Sequence, residues 1–566
     1  MNFKNQLSSI FVSAVLLLNF LSCNTKVEDT IGPEIAKPSA VQYKWQEQER
    51  IMFLCLDPCT WQGREFDDHS TPLKDINPTE LDTDQWCEVA KSWGAKEILF
   101  VAKHTGGFCW WQTESSEYSI KNTAYKDGKG DVLKELSESC KKFGLNLGIY
   151  VYPGDDTWGA GIGSGGITSD PAKQEGYNKV FRQQLTETLS KYGDALEVWF
   201  DGSLKIDVSD IMEKYAKNAV VFQGPHATLR WPGTESGKLF YPAWNSVKKE
   251  DIDTGLATQI HGDPNGDVWA PLESNTTLYN HYWFWSPEKV NTRKSIKELM
   301  DCYYKSVGYG SVFLLNSTPD TTGLIPQSDV KHYKAFANEI DRRFKIPIAQ
   351  VKDKKGALTI LDLSKPQKIN HVVLMEDYRQ GHRIRKYLVE GMVNGVWDTL
   401  CNGSSVGRKK IDYFPDVEVS KIRLTITKFI GEPLIRSFLA YYVDDFEPPV
   451  KEATYANAPW EAVGKWGKES LINNIATLKI DLSDEITLPG QYSLRIITDS
   501  DIEVVDTEVY YDKQKAMDDY ITVKDKDISV NRTGMVTDES SSILTITIKD
   551  NSGGNGTVEF RPTLIY

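Results

Sequence analysis

Between about residues 45 and 345 the chain alternates short, continuously apolar runs with longer stretches whose apolar positions recur every three to four residues. Ile51 to Leu56, Glu97 to His104, Leu145 to Tyr152, Leu196 to Asp201, Ala219 to Gln223 and Ser311 to Asn316 read as strands buried on both faces. Strands buried on both faces and alternating with helices are the pattern of a parallel sheet. Asp82 to Trp93, Asp131 to Phe143 and Tyr177 to Tyr192 carry the helical period between them. The alternation predicts an α/β fold, a (β/α) barrel over residues 45–345 with room for imperfect closure. In a barrel of this kind chemistry gathers where strands end and loops are free to vary. That makes His104, Tyr152 and Asp201 the first suspects.

After about residue 346 the helical period disappears. Leu358 to Leu363, His371 to Met375, Tyr387 to Gly391, Ile422 to Ile426 and Phe438 to Tyr442 are short β-like runs. Glu447-Pro448-Pro449 reads as a linker, and Leu478 to Leu482, Gln491 to Ile497, Ile502 to Tyr510 and Ile543 to Ile548 continue the β pattern. The barrel is therefore expected to be followed by two C-terminal β-sandwich-like domains, at 346–447 and 451–566.

A chain of 566 residues is too long for one core, and 40% hydrophobic with 25% charged residues excludes a disordered chain. A net charge of −14 repels polyanions, and with no local basic patch it sets nucleic acid aside as a partner. At the amino terminus Lys4, the apolar run Ile10 to Leu21 and the small residues before Cys23 form a targeting segment too short to span a bilayer. This start resembles a bacterial lipoprotein signal, with residues 1–22 removed, Cys23 lipidated and 23–44 a tether. Phe20 departs from the usual lipoprotein pattern and keeps ordinary signal-peptidase cleavage open. The expected location is the cell envelope, periplasmic or on the outer membrane, with free secretion as the alternative. Membrane contact is then expected only through the anchor.

Cys55, Cys59, Cys87, Cys109, Cys140, Cys302 and Cys401 are odd in number and irregular in spacing, and read as buried free thiols. The histidines other than His104 show no metal-ligand spacing, so neither metal nor cofactor is expected.

Within the pattern, Val198-Trp199-Phe200-Asp201-Gly202 ends a strand on a carboxylate, with a glycine that lets the chain turn away without covering it. A nucleophile needs that combination of rigid support and exposure, although an Asp capping the next helix gives the same letters. Wider context separates the two. Asn77 to Trp86, Ala102-Lys103-His104, Gly107 to Trp111, Tyr118 to Thr123, Gly128 to Val132, Trp199 to Gly202, Arg230 to Glu235 and Leu314 to Asp320 occur in the order found in glycoside hydrolase family 29, the α-L-fucosidases, which the chain resembles over roughly residues 50–340.

The resemblance implies a retaining, exo-acting hydrolase of glycans, with Asp201 as nucleophile and a second carboxyl as acid and then base. The segment Trp269 to Asn275 is similar to the family's acid/base segment and makes Glu273 the expected partner, with Glu65, Glu235 and Glu288 as runners-up. Positions matching the family's sugar-holding groups are Cys55, Glu65, Phe66, His104 and Trp199. Trp111, Tyr152, His281, Trp283 and Trp285 are added as candidate binding residues. Family histidines are replaced at Cys55 and Thr105, and Gly106 stands for an expected Asp. These departures imply either α-L-fucoside or a related α-L-hexoside, such as α-L-galactoside or α-L-glucoside. A non-catalytic sugar-binding lipoprotein on a decayed scaffold is the alternative of a different class. The 346–447 region resembles the discoidin-like domain that follows this barrel in the family, whereas the last region matches no known domain.

Overall fold

In the computed structural model the apolar runs become parallel strands whose two faces pack differently. The structure describes residues 35–201, 204–233, 235–252, 262–280 and 282–448; beyond them it describes 461–462, 467–481, 490–497, 501–511, 514–515, 521–524, 527–532, 542–551 and 557–565. Cys23, His281, Trp460 and Trp466 lie outside the described residues. The strands are β1 (Arg50–Leu54), β2 (Glu97–Lys103), β3 (Asn146–Val151), β4 (Glu197–Trp199) and β5 (Val220–Phe222), then an antiparallel ribbon of β6 (Ser246–Val247) and β7 (Val268–Trp269), then β8 (Glu273–Thr276) and β9 (Val312–Ser317). The parallel sheet runs β5-β4-β3-β2-β1-β9-β8, and among the described residues no ladder joins β5 to β8. The sheet is thus a curled half-barrel of the TIM type.

Successive side chains of a strand point to opposite faces, and both faces here are apolar for different reasons. Met52, Leu54, Ile98 and Phe100 face outward and pack with Trp86, Val89, Leu133 and Leu136 of the covering helices. Ile51, Phe53, Cys55, Leu99, Val101, Tyr150, Trp199 and Phe222 face inward and form a separate interior cluster. The helices start where side-chain caps satisfy free backbone amides. Asp82 accepts from Asp84 N before Thr83–Ser92, and Asp131 accepts from Lys134 N before Val132–Phe143, both at 2.9 Å.

The change from helix to sheet falls after the helix Gln327–Phe344. Residues 349–441 form one antiparallel six-stranded path, whose longest strands, Leu358–Glu376 and Lys410–Phe429, bend at register shifts. The later strands form two further antiparallel sheets, of six and four strands. The 349–441 sheet docks at the amino end of β1. Arg408 and Lys409 reach Glu49 at 2.7 and 2.5 Å, Arg436 reaches Glu47 at 2.8 Å, and the Tyr378 hydroxyl donates to Glu47 at 2.7 Å. Burial alone would raise the Glu49 pKa, but Lys409 and Arg408 hold it well below the carboxylate range. This sheet therefore closes the barrel floor and leaves the opposite, carboxyl-end face open.

Candidate active site

The inward side chains of β1 to β5 open at their carboxyl ends onto a cavity of about 650 Å³. Phe53, Cys55, Val101, His104, Tyr150, Trp199 and Phe222 form its wall from the strands, and Glu65 and Phe66 enter from the loop after β1. Trp231, Glu235 and Ser236 come from the loop after β5, Asn275 to Thr277 from the end of β8, and Trp283 and Phe284 from the loop beyond. Asp201, two residues past the end of β4, projects into the same space. The Tyr150 hydroxyl donates to Asp201 Oδ2 at 3.0 Å. Tyr150 stacks on Trp199 with centroids 5.3 Å apart, and Trp199 on Phe222 at 3.9 Å and 10°. Aromatic rings in contact along strand ends hold the carboxylate on a stiff shelf.

Two more carboxyls share the cavity. Glu235 keeps an exposed edge toward the opening, yet the protein around its carboxyl, together with the charge of Asp201, pushes its pKa up to about 7. The Trp283 indole donates to it at 3.2 Å. Glu65 is also raised to about 7, chiefly by burial, and accepts from the Trp283 backbone N at 3.0 and 3.2 Å. Asp201 acts on Glu235, whereas Glu65 feels Glu235, which raises it, and Lys289, which lowers it. His104, between Phe66 (6.2 Å, 9°) and the edge of Phe284 (5.0 Å), is driven by burial to about 3 and is neutral at working pH. Burial raises the Cys55 thiol well above its usual range, so it presents a weak, uncharged hydrogen-bonding group.

Of the residues expected from sequence, Cys55, Glu65, Phe66, His104, Trp199, Asp201 and Trp283 meet in this cavity. Glu273 does not. It is the first residue of β8, paired with Val312 at the start of β9, fully buried, and its carboxyl faces Glu197 at the start of β4. Glu197 opens β4 and Asp201 lies two residues past its end, at most roughly 13 Å away at the usual rise of an extended chain, so Glu273 belongs to the floor and Asp201 to the mouth. Trp111 is also elsewhere, fully buried in the outer core with its indole donating to Glu187 at 2.9 Å. Tyr152 is buried with its hydroxyl accepting from Gly163 N at 2.9 Å, and it is Tyr150 that meets Asp201. Trp285 packs against the outer core, and Phe284 lines the cavity instead. Glu288 is exposed and outside the cavity lining. At Gly106 a side chain would run into the Asp67 carboxylate, which accepts from Tyr118 at 2.6 Å. The described cysteines are all free thiols, Cys55 and Cys59 included.

The family model for α-L-fucosidase matches residues 41–340, the half-barrel and every loop that builds the cavity. The chain belongs to the α-L-fucosidase family. It is 28% identical to α-L-fucosidase 1 of Arabidopsis thaliana over 503 residues, covering 80% of this chain and 97% of that one. Among solved structures, a candidate α-L-fucosidase of Bacteroides thetaiotaomicron is 35% identical with a TM-score of 0.68, covering 72% of this chain and all of that chain. A Ruminococcus gnavus family 29 fucosidase in complex with fucose is 25% identical with a TM-score of 0.66, over 72% and 95% of the two chains. As a member of this family the protein is a glycosidase acting on glycans.

What the cavity offers such a glycosidase is one carboxylate held by Tyr150 and two further carboxyls, Glu235 and Glu65, poised near neutrality. Glu235 was legible in advance as the polar end of Arg230-Trp231-Pro232-Gly233-Thr234-Glu235, a loop following a barrel strand and so at the mouth by construction. Tyr150 and Phe222 were hidden inside apolar runs, where periodicity assigns a strand but not which face meets the cavity.

Proposed function

We propose that this family member is a retaining, exo-acting α-L-glycosidase in which Asp201 is the nucleophile and Glu235, not Glu273, is the acid/base. One observation carries the assignment: Asp201 and Glu235 line the same cavity, and Glu235 has a pKa of about 7 raised by burial and by Asp201 itself. In the first step the Asp201 carboxylate attacks the anomeric carbon while Glu235 gives its proton to the departing glycosidic oxygen. Once Asp201 is esterified its negative charge is gone, so Glu235 releases a proton more readily and can take one from the incoming water. Tyr150 orients the nucleophile, and the Trp283 indole orients Glu235.

The glycone is a terminal α-L-fucosyl or closely related α-L-hexosyl unit. Phe53, Val101, Phe222 and Phe284 give an apolar wall suited to the C6 end of the sugar, while Glu65 and His104 offer partners to ring hydroxyls. The weak donor Cys55 keeps α-L-galactoside and α-L-glucoside as competing glycones. The apolar start ending at Cys23 supports an exported, lipid-anchored enzyme of the cell envelope.

A fluorinated glycosyl trapping reagent followed by peptide mass spectrometry tests the mechanism. Label is expected on Asp201, and accelerated trapping of an activated reagent should survive loss of Glu235. Label on another carboxyl, or turnover with no trapped ester and inverted product, would remove the proposal. A kinetic screen of p-nitrophenyl α-L-fucoside, α-L-galactoside and α-L-glucoside ranks the glycones, and inactivity on all three opposes the α-L-hexoside assignment.

A further inference from the structure

Where β1 and β2 end, the loop and helix that follow β1 bring Asp57 and Cys59 against His104. A carboxylate oxygen, the Cys59 sulfur and an imidazole nitrogen lie within 4.8 Å of one another. Cys59 Sγ is 3.1 Å from Asp57 Oδ2, while Asp57 Oδ1 has no hydrogen-bond partner although the residue is only 1% exposed. Cys59 is fully buried, and His104 reaches the catalytic cavity. Tetrahedral zinc, with ligand distances of about 2.0–2.3 Å, sets its ligand atoms about 3.3–3.8 Å apart, so small side-chain rotations complete three corners of such a site. An unpartnered carboxylate oxygen, sealed from water beside a thiol and an imidazole, is costly unless something satisfies it.

We propose that Asp57, Cys59 and His104 bind a zinc-like divalent cation, and that occupancy inhibits the hydrolase. Thiolate with imidazole selects zinc, cadmium or cobalt(II) over magnesium or calcium. On binding, Cys59 gives up its S–H proton and Asp57 its carboxyl proton where it carries one, both to solvent; His104 supplies a neutral lone pair. The two negative ligands then cancel the charge of the ion, which suits a buried site. Three protein ligands leave a fourth position for water. The inhibition rests on His104, which stands over the cavity between Phe66 and Phe284: an ion on one ring nitrogen fixes the ring and withdraws that nitrogen from a sugar hydroxyl.

Cobalt(II) titrated into the full-length protein, previously stripped with chelator, provides an optical readout independent of catalysis. The expected result is a near-ultraviolet thiolate-to-cobalt band that saturates at one ion per chain and is displaced by zinc, with equilibrium dialysis giving the same stoichiometry. Cys59→Ser should lose the band and weaken zinc inhibition by at least about tenfold, while metal-free turnover stays within about twofold. Asp57→Asn, closer in shape, should weaken dialysis affinity by a similar factor and serves if the serine variant does not fold. Cys55→Ser should keep the band. No retained ion, a band that survives Cys59→Ser, or a band that disappears with Cys55→Ser overturns the site. Because the site uses a spectrum and a dialysis constant, its failure is distinct from failure of the Asp201 and Glu235 assignment.

Discussion

Two sets of three carboxyls occupy opposite ends of the same half-barrel. At the mouth stand Asp201, Glu235 and Glu65; at the floor stand Glu97, Glu197 and Glu273, the first residues of β2, β4 and β8. The floor set is fully buried, with Glu97 accepting from Gln48 at 2.6 Å and Glu197 from the Trp45 indole at 2.8 Å. Burial comes first among the causes that raise Glu235 and Glu65 at the mouth and Glu273 at the floor, each to about 7. A pKa near neutrality therefore does not distinguish an acid catalyst from a sealed structural carboxyl. Access does: only the mouth set borders space that a sugar can enter. A perturbed carboxyl is a functional candidate only after its position on the strand is known.

The largest effect expected from breaking this contrast is at Asp201. Asp201→Ala should lower kcat on every substrate by at least about three orders of magnitude while substrate binding persists, as read by steady-state kinetics and calorimetry. Retained turnover would move the nucleophile elsewhere. Next, Glu235→Ala should cost about 10²- to 10⁴-fold on a natural glycan but less on a nitrophenyl glycoside, whose leaving group departs without a proton. Azide should restore the latter and yield a glycosyl azide of retained configuration. In the wild type, kcat/KM should fall as the pH rises through about 7, where Glu235 loses its proton, and Glu235→Gln should remove that limb.

The floor predicts a different phenotype. Glu273→Gln should leave kcat within about threefold of wild type and show itself in stability. The folded-state pKa of Glu273 is raised from 4.5 to about 7, so across that interval the folded protein binds more protons than the unfolded chain. The contribution of Glu273 to the unfolding free energy then falls as the pH rises from about 4.5 to about 7. Glutamine keeps the shape and stays neutral, so the variant should be more stable relative to wild type at pH 8 than at pH 5, by denaturant melts at both. A loss of activity equal to that of Glu235→Ala would erase the distinction between mouth and floor. The smallest effect belongs to Phe66, about half exposed at the rim and stacked on His104. Phe66→Ala should raise KM a few-fold with little change in kcat, since it removes contact area and no reacting group.

Much of this was legible in the order of residues. Apolar runs and helical periods determined a parallel α/β architecture because a strand covered on both faces has no polar side to show, and Trp199-Phe200-Asp201-Gly202 placed a carboxylate at a strand end. Family-ordered motifs marked the loops that reach the cavity. Tyr150 and Tyr152 share a strand face by period, yet only the fold decided that Tyr150 meets Asp201 while Gly163 N occupies the hydroxyl of Tyr152. Trp111, the last residue of a family motif, and Trp285, two residues after Trp283, turned to the outer core. Which of Glu235 and Glu273 borders the cavity was likewise tertiary. Both lie in polar breaks among aromatic residues, and sequence does not state at which end of a short strand a side chain enters the barrel. That depends on where β8 begins against β9, a register set by hydrogen bonds between segments about 40 residues apart, and on the rise of roughly 3.3 Å per residue that separates floor from mouth.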